Sequence, residues 1–272
     1  MTNSALPHPW QGIFPPLVTP LTGRDTLDVA GLERLIEHVI AGGVSGIFIL
    51  GTTGEGPSLS YRLRRELIER TCGLVRRRVR VLVGISDTAF VESLNAARWA
   101  ADAGADAVVL APPYYLPEGQ PELQEYLDGI VPELPLPLFL YNMPALTKVQ
   151  YEFETLRRAL DNPHIIGLKD SSGNMAYFRS AIGLLKYRPD WSLLIGPEHL
   201  LAEAVLAGGQ GGVNGGANLF PRLFVELFAA AKRGDVARVA ELHQQVLQVG
   251  QLYRVGQHAS AVIKGLKCAL AL

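Results

Sequence analysis

A turn of the form Ala-Gly followed by a small residue recurs three times in this chain, and an apolar run follows it each time. Ala41-Gly42-Gly43 leads into 46–50, Ala103-Gly104-Ala105 into 106–111, and Ala207-Gly208-Gly209 into the run around Gly212 and Val213. A helix ending on glycine, where a left-handed residue costs little, and then a tight turn into a buried strand, form the αβ half of a repeating βα unit. The other apolar runs fall into the same rhythm. Strand cores begin near Leu17, Ile47, Val81, Val108, Leu138, Ile166, Leu193 and Gly212, at intervals of 30, 34, 27, 30, 28, 27 and 19 residues. All but the last interval hold a helix and two loops. Eight strands alternating with helices predict an α/β fold, a (β/α)8 TIM barrel. A doubly wound sheet is the competing arrangement, but it usually carries Gly-x-Gly-x-x-Gly after its first strand. Here Phe14-Pro15-Pro16-Leu17-Val18-Thr19-Pro20 stands there instead.

The first strand is expected over 12–21 and the first helix over 28–40. An additional helix is expected over 235–255, with another helical pattern running to Leu272. The expected organisation is therefore a catalytic barrel over 1–225 and a C-terminal helical extension over 226–272. With 272 residues and 48% hydrophobic content, one large domain with a sizeable core is feasible.

Charge and cysteine usage exclude several classes. A formal net charge of −1 argues against a dedicated nucleic-acid binder. The basic stretch 62–80 is broken by Glu66 and Glu69, as on a solvated helix face. Cys72 and Cys268 match no metal or redox spacing, and the six histidines show no ligand pair, so neither a metal nor a cofactor is expected. No apolar run reaches the ~18 residues of a membrane span, and Met1-Thr2-Asn3-Ser4 lacks the blocks of a signal peptide. A cytoplasmic protein without a membrane partner is expected.

One residue violates the apolar pattern. His164-Ile165-Ile166-Gly167-Leu168-Lys169-Asp170 reads as a strand buried on both faces that ends on a lysine. Of six lysines, Lys169 alone falls within a strand pattern. A desolvated ammonium is costly unless it is paired or gives up its proton. Such a lysine can reach solvent or pair with Asp170; alternatively, burial lowers its pKa from the ordinary value of ~10.4 and makes it a nucleophile. Gly167, two residues earlier on the same side of the strand, is expected to leave room for a substrate.

In (β/α)8 barrels the chemistry sits at the C-terminal ends of the strands. Gly51-Thr52-Thr53-Gly54-Glu55 ends the second strand, Pro112-Pro113-Tyr114-Tyr115 the fourth, Leu140-Tyr141-Asn142-Met143-Pro144 the fifth and Lys169 the sixth. Singly, the first is compatible with an ordinary loop and the tyrosines with packing. Together, a lysine, tyrosines and a hydroxyl-rich loop on one rim suit covalent amine catalysis, with a hydroxyl relay moving the proton.

Gly51-Thr52-Thr53-Gly54-Glu55, the Tyr-Asn-x-Pro at Tyr141–Pro144 and Ile165-Ile166-Gly167-Leu168-Lys169-Asp170 resemble the dihydrodipicolinate synthase/N-acetylneuraminate lyase family of pyruvate-handling class I aldolases. The resemblance implies that Lys169 forms an imine with pyruvate or another 2-oxo acid and that Tyr141 transfers protons. It implies Thr53, with Gly51, near the pyruvate carboxylate and Thr52 in the relay. Tyr115 would complete that relay across a subunit interface, and Gly196 and Val213 would line the pyruvate pocket. A homo-oligomer, a dimer of dimers, is implied as well. Two departures bear on function. The synthases carry Tyr-Asn-x-Pro-x-Arg-Thr-Gly, the arginine holding the carboxylate of aspartate semialdehyde; here Leu146 replaces the arginine and Lys148 the glycine. The C-terminal helices are also expected to be incomplete against the family's length. The expected function is a Schiff-base aldolase or lyase acting on a 2-oxo acid, such as a 2-keto-3-deoxy sugar acid. The alternatives are a dihydrodipicolinate synthase with a rearranged second-substrate site and a non-catalytic 2-oxo-acid-binding barrel.

Overall fold

The computed structural model describes residues 9–258 and 260–272; the leader Met1–Ser4 lies outside the described residues. Eight strands form one parallel sheet: β1 (Gly12–Ile13), β2 (Gly46–Ile49), β3 (Arg80–Gly84), β4 (Ala107–Leu110), β5 (Leu138–Asn142), β6 (Ile165–Asp170), β7 (Ser192–Ile195) and β8 (Gly211–Gly212). Each pairs with the next in sequence from β2 to β8, and β8 returns to pair with β1. The seam between β1 and β2 is joined by backbone bonds from Ser45 to the Ile13 carbonyl (2.9 Å) and from Phe48 to the Pro15 carbonyl (3.0 Å). The sheet is thus the wall of a (β/α)8 barrel.

The expected first strand is much shorter than 12–21. Pro15, Pro16 and Pro20 have no N–H to give a ladder, so after Ile13 pairing survives only as a bridge between Pro16 and Phe48. Leu21 belongs to a small antiparallel hairpin with Thr26–Leu27. The three Ala-Gly turns behave as expected: Gly43, Gly104 and Gly208 have φ of 87°, 84° and 114°. Helix starts are equally local, with Asp28, Ser60, Asn174 and Asp235 capping backbone N–H groups at 2.8–3.2 Å.

Two apolar layers result. The larger lies between the sheet and the surrounding helices; the smaller fills the barrel with Trp10, Phe14, Phe48, Phe139, Leu194 and neighbours. Arg80 closes the N-terminal end by lying over the Trp10 ring, 4.1 Å from its centroid. Gly167 does not leave space for a substrate. A Cβ there would meet the Phe139 ring and the Ser192 carbonyl, both at 2.4 Å, so the missing side chain accommodates the aromatic filling of the barrel. The basic stretch divides between the helix Tyr61–Val75, which carries Arg62, Arg64, Arg65 and Arg70, and the turn and strand after it; Arg62 and Arg65 are exposed and pair with Glu66 and Glu69. Arg64, in contrast, is buried.

The boundary expected at 225 falls inside the helix Pro221–Arg233. The helix Val236–Val249 packs on through buried Val239, Leu242, Val246 and Val249, and the chain ends in the helix Ala261–Ala271. These last elements touch the rim where the strands end. Lys267 pairs with Glu55 in the loop after β2. Tyr253 donates to Glu198 after β7 (3.1 Å), which accepts from the Gly216 N–H after β8 (2.8 Å). Among the described residues, no helix is long and apolar enough to cross a membrane.

Candidate active site

Parallel pairing of β5 with β6 sets the centre of the site. Tyr141 stands opposite Lys169, and Asn142 opposite Asp170. Because successive side chains of a strand point to opposite faces, Tyr141 and Lys169 face the barrel interior while Asn142 and Asp170 face the helix layer. The outer pair forms a clamp. Asn142 Nδ2 donates to Asp170 Oδ1 (2.8 Å), and the Asn142 amide oxygen accepts from the Tyr151 N–H (3.2 Å). Ser172 donates its N–H to the same Asp170 oxygen (3.1 Å) and its hydroxyl to the other, Oδ2 (3.0 Å). Asp170 is therefore engaged outside the barrel and does not pair with Lys169. Burial pushes its carboxyl pKa up, against the pull of Asn142 and Ser172.

Lys169 is 5% exposed. Its Nζ lies over the Tyr141 ring, 3.9 Å from the centroid, and 4.6 Å from that of Phe48. Burial lowers the ammonium's pKa, partly offset by Tyr141. No carboxylate pairs with it among the described residues. An amine in aromatic walls without a counter-ion is biased toward the neutral, nucleophilic form.

Tyr141 and Thr52 are linked by a hydrogen bond of 3.1 Å between their hydroxyls, in which either can donate. Thr52 reaches this position through a strained turn. Leu50, the residue after β2, is buried with φ at 58°, a conformation that costs a non-glycine residue ~1–3 kcal/mol. Glycines house it: a Cβ at Gly56 or Gly84 would come within 2.2 or 2.4 Å of the Leu50 carbonyl oxygen. Beyond that turn, the Thr52 and Thr53 N–H groups find no acceptor among the described residues. They remain available to an anion.

A cavity of about 280 Å³ opens beside this pair, lined by Phe48, Thr52, Ser86, Tyr114, Tyr141 and Leu146 among others. No charged side chain lines it. Gly51 also lines it, whereas Thr53 stands one residue outside. Leu146 is 49% exposed on the short helix Pro144–Thr147. Lys148 turns away, its Nζ donating to the Ala145 carbonyl at 2.9 Å.

Besides Thr53, four nominated residues are not among those lining this cavity: Lys169, whose Nζ lies over the Tyr141 ring that does line it, and Tyr115, Val213 and Gly196. Tyr115 is 82% exposed, and the neighbouring Tyr114 lines the cavity instead. Val213 packs in the barrel's inner cluster. Gly196 donates its N–H to the Asp170 carbonyl (2.7 Å), and a Cβ there would strike Ser171 Oγ at 2.0 Å. Sequence reasoning also missed Ser86, Met143 and Thr147, and the Asn142–Asp170 clamp. The clamp had a signal: both residues directly follow a nominated side chain on adjacent strands. Ser86 had none, standing in an unremarkable Gly-Ile-Ser-Asp. Among the described residues, no group of three or more His, Cys, Asp or Glu side chains could hold a metal ion.

A buried lysine at the end of β6, a tyrosine opposite it on β5 and a threonine loop after β2 place this barrel among pyruvate-dependent class I aldolases. The sequence profile of the dihydrodipicolinate synthetase family matches residues 9–271, and the chain belongs to that family. Among solved structures, a dihydrodipicolinate synthase from Bacteroides thetaiotaomicron is similar at 57% identity and a TM-score of 0.95, over 98% of this chain and 90% of that one. YagE of Escherichia coli K12, provisionally named a 2-dehydro-3-deoxy-D-gluconate aldolase, is 35% identical over 97% of this chain and 87% of its own. Its structure with pyruvate has a TM-score of 0.91 to this one. The 4-hydroxy-tetrahydrodipicolinate synthase of Salinibacter ruber is 34% identical over 88% of this chain and 78% of its own.

Proposed function

We propose that this enzyme cleaves or forms an aldol of pyruvate with an uncharged, hydroxylated aldehyde, of the 2-keto-3-deoxy sugar acid type, through an imine on Lys169. The observation that carries this reading is the absence of any charged side chain along the cavity, with Leu146 at its outer wall. In the cleavage direction, the neutral Lys169 amine adds to the 2-oxo carbon and water leaves. The resulting iminium draws in the electrons of the bond between the third and fourth carbons. Tyr141, bonded to Thr52, takes the proton from the fourth-carbon hydroxyl as the aldehyde departs. The remaining enamine is protonated at the third carbon, and water releases pyruvate from Lys169. Thr53 and the Thr52 and Thr53 N–H groups hold the carboxylate, with Gly51 beside them. A buried cationic partner is not needed for that, since backbone donors already serve a carboxylate well. Gly196 and Val213 support the pocket by packing.

Borohydride reduction with pyruvate should attach a stable adduct to Lys169 and to no other lysine, as read by peptide mass mapping. A screen for pyruvate release from 2-keto-3-deoxy sugar acids should then show turnover, which a non-catalytic binding barrel would not give. An adduct on another lysine overturns the mechanism.

The second reading, synthesis from pyruvate and aspartate semialdehyde, is favoured by the 57% identity to a dihydrodipicolinate synthase. Leu146 stands against it. Assembly as a dimer of dimers in the cytoplasm is part of the proposal. The supporting observations are the exposed Tyr115 and Leu116 side by side on a proline-flanked loop and the two free thiols Cys72 and Cys268.

A further inference from the structure

The cavity is poor in uncommitted polar groups, and this narrows what can recognise the aldehyde half of the substrate. Thr52 and Tyr141 hold each other. The Thr147 hydroxyl lies within 3.1 Å of the Met143 carbonyl and 2.9 Å of that of Val149, so its proton is taken. Tyr114 also lines the cavity and its hydroxyl has no hydrogen-bond partner among the described residues, but it stands beside the exposed Tyr115 on the proline-flanked loop with no side-chain bond to fix it. Ser86 is different. Its Oγ accepts from the Ala111 N–H at 2.8 Å, which ties the loop after β3 to the residue after β4. A serine hydroxyl has one proton and two lone pairs. With a lone pair used by Ala111, Ser86 retains a proton that no acceptor takes among the described residues, at a place on the cavity wall.

The next residue makes the position rigid. Asp87 is buried, accepts from Arg64 at 2.6 Å and from the Ala89 N–H at 3.0 Å, and also meets the Tyr61 hydroxyl at 3.3 Å. Arg64 in turn donates to the Leu59 carbonyl at 3.1 Å. Ser86 is therefore held from both sides, by Ala111 through its own oxygen and by the buried Arg64–Asp87 pair through its neighbour. A pre-positioned donor loses little freedom when it engages a ligand.

From this we infer that Ser86 is a specificity-determining residue that donates a hydrogen bond to a hydroxyl oxygen on the aldehyde half of the substrate. The inference rests on the proposed aldolase reading and deepens it, because it says how a cavity without charge distinguishes a sugar-derived aldehyde from an apolar one. A neutral hydrogen bond of this kind discriminates about two- to tenfold in kcat/KM.

The test is condensation of pyruvate with glyceraldehyde and with its two singly deoxygenated analogues, lactaldehyde and 3-hydroxypropanal. In the wild-type enzyme, one of the two analogues should fall about two- to tenfold below glyceraldehyde. Ser86→Ala should remove that gap, and Ser86→Thr, which keeps the hydroxyl, should restore it. If Ser86→Ala does not fold, Ser86→Cys carries the same comparison, since a thiol can still accept from Ala111 but donates weakly. The inference is overturned if neither analogue loses rate in the wild type, if the gap persists without the hydroxyl, or if all three aldehydes fall equally. The borohydride adduct on wild-type Lys169 separates the two levels of argument. Failure to form it refutes the imine reading, whereas an adduct without a hydroxyl preference refutes only the role of Ser86.

Discussion

Replacing Leu146 by arginine tests the choice between the two aldol chemistries. Leu146 lines the cavity and is 49% exposed, so a longer side chain from the same backbone can enter the cavity or lean into solvent. A guanidinium offers a planar fork that matches a carboxylate, and leucine offers no donor. A charge-assisted hydrogen bond contributes ~1.5–3 kcal/mol, and half-exposure puts this site near the lower figure because water screens it. That corresponds to about tenfold in kcat/KM. Lys148 does not already fill the role, because its ammonium is folded back on the Ala145 carbonyl. Leu146→Arg should therefore raise kcat/KM for aspartate semialdehyde about tenfold and lower it for glyceraldehyde. Steady-state condensation with pyruvate, read beside uncharged hydroxylated aldehydes, measures both. A wild-type enzyme whose highest kcat/KM in that panel is for the semialdehyde would refute the reasoning, and so would a variant with an unchanged ratio.

Four other outcomes are expected. Lys169→Arg should abolish turnover although charge is kept, since guanidinium stays protonated; residual imine chemistry in that variant would contradict the mechanism. Burial holds the folded-state pKa of Lys169 below 10.5, so the unfolded chain binds the proton more tightly and wild-type stability rises with pH across the interval up to 10.5. Lys169→Met should flatten that rise and unfold at higher denaturant than wild type at neutral pH, as chemical denaturation would show. Gly167→Ala should destabilise by ~1–3 kcal/mol, or more where Phe139 cannot shift, because the new methyl meets packed ring and backbone; an unperturbed melting temperature would show that the barrel has slack. Arg64→Met should cost ~3–5 kcal/mol by leaving Asp87 buried and unpaired, which a denaturant titration checks.

Much of the architecture was legible because it is written locally. A glycine that must take positive φ, a capping aspartate or serine and an apolar run each act within a few residues. Their repetition at about thirty-residue intervals leaves few alternatives to a barrel. The first strand was misjudged where two local signals conflict. Its apolar character extends through Leu17 and Val18, but three prolines remove the donors a ladder requires. The reading of Gly167 failed for a different reason. A missing side chain shows that something comes close, and only the opposite strand reveals that it is the ring of Phe139, paired with Gly167 across β5 and β6.

The site divides along the same line. Lys169, Tyr141 and Thr52 were visible because each is a polar side chain at the end of an apolar strand, a costly placement that calls for a reason. Leu146 was visible only through resemblance, as a residue that differs from a motif. Ser86 could not be found either way. Its significance depends on accepting from Ala111, 25 residues later, and on the pair that Asp87, its neighbour, makes with Arg64 on the helix Tyr61–Val75. The same distinction separates chemistry from specificity here. In the proposed reaction, imine formation needs one desolvated amine and a proton carrier, the parts assigned to Lys169 and Tyr141, which face each other through the register of two paired strands. Choice of aldehyde depends on what the loops after β2, β3, β4 and β5 leave unbonded in the space between them. Those loops can change without disturbing the register, so the choice of aldehyde can change while the paired strands keep Tyr141 opposite Lys169.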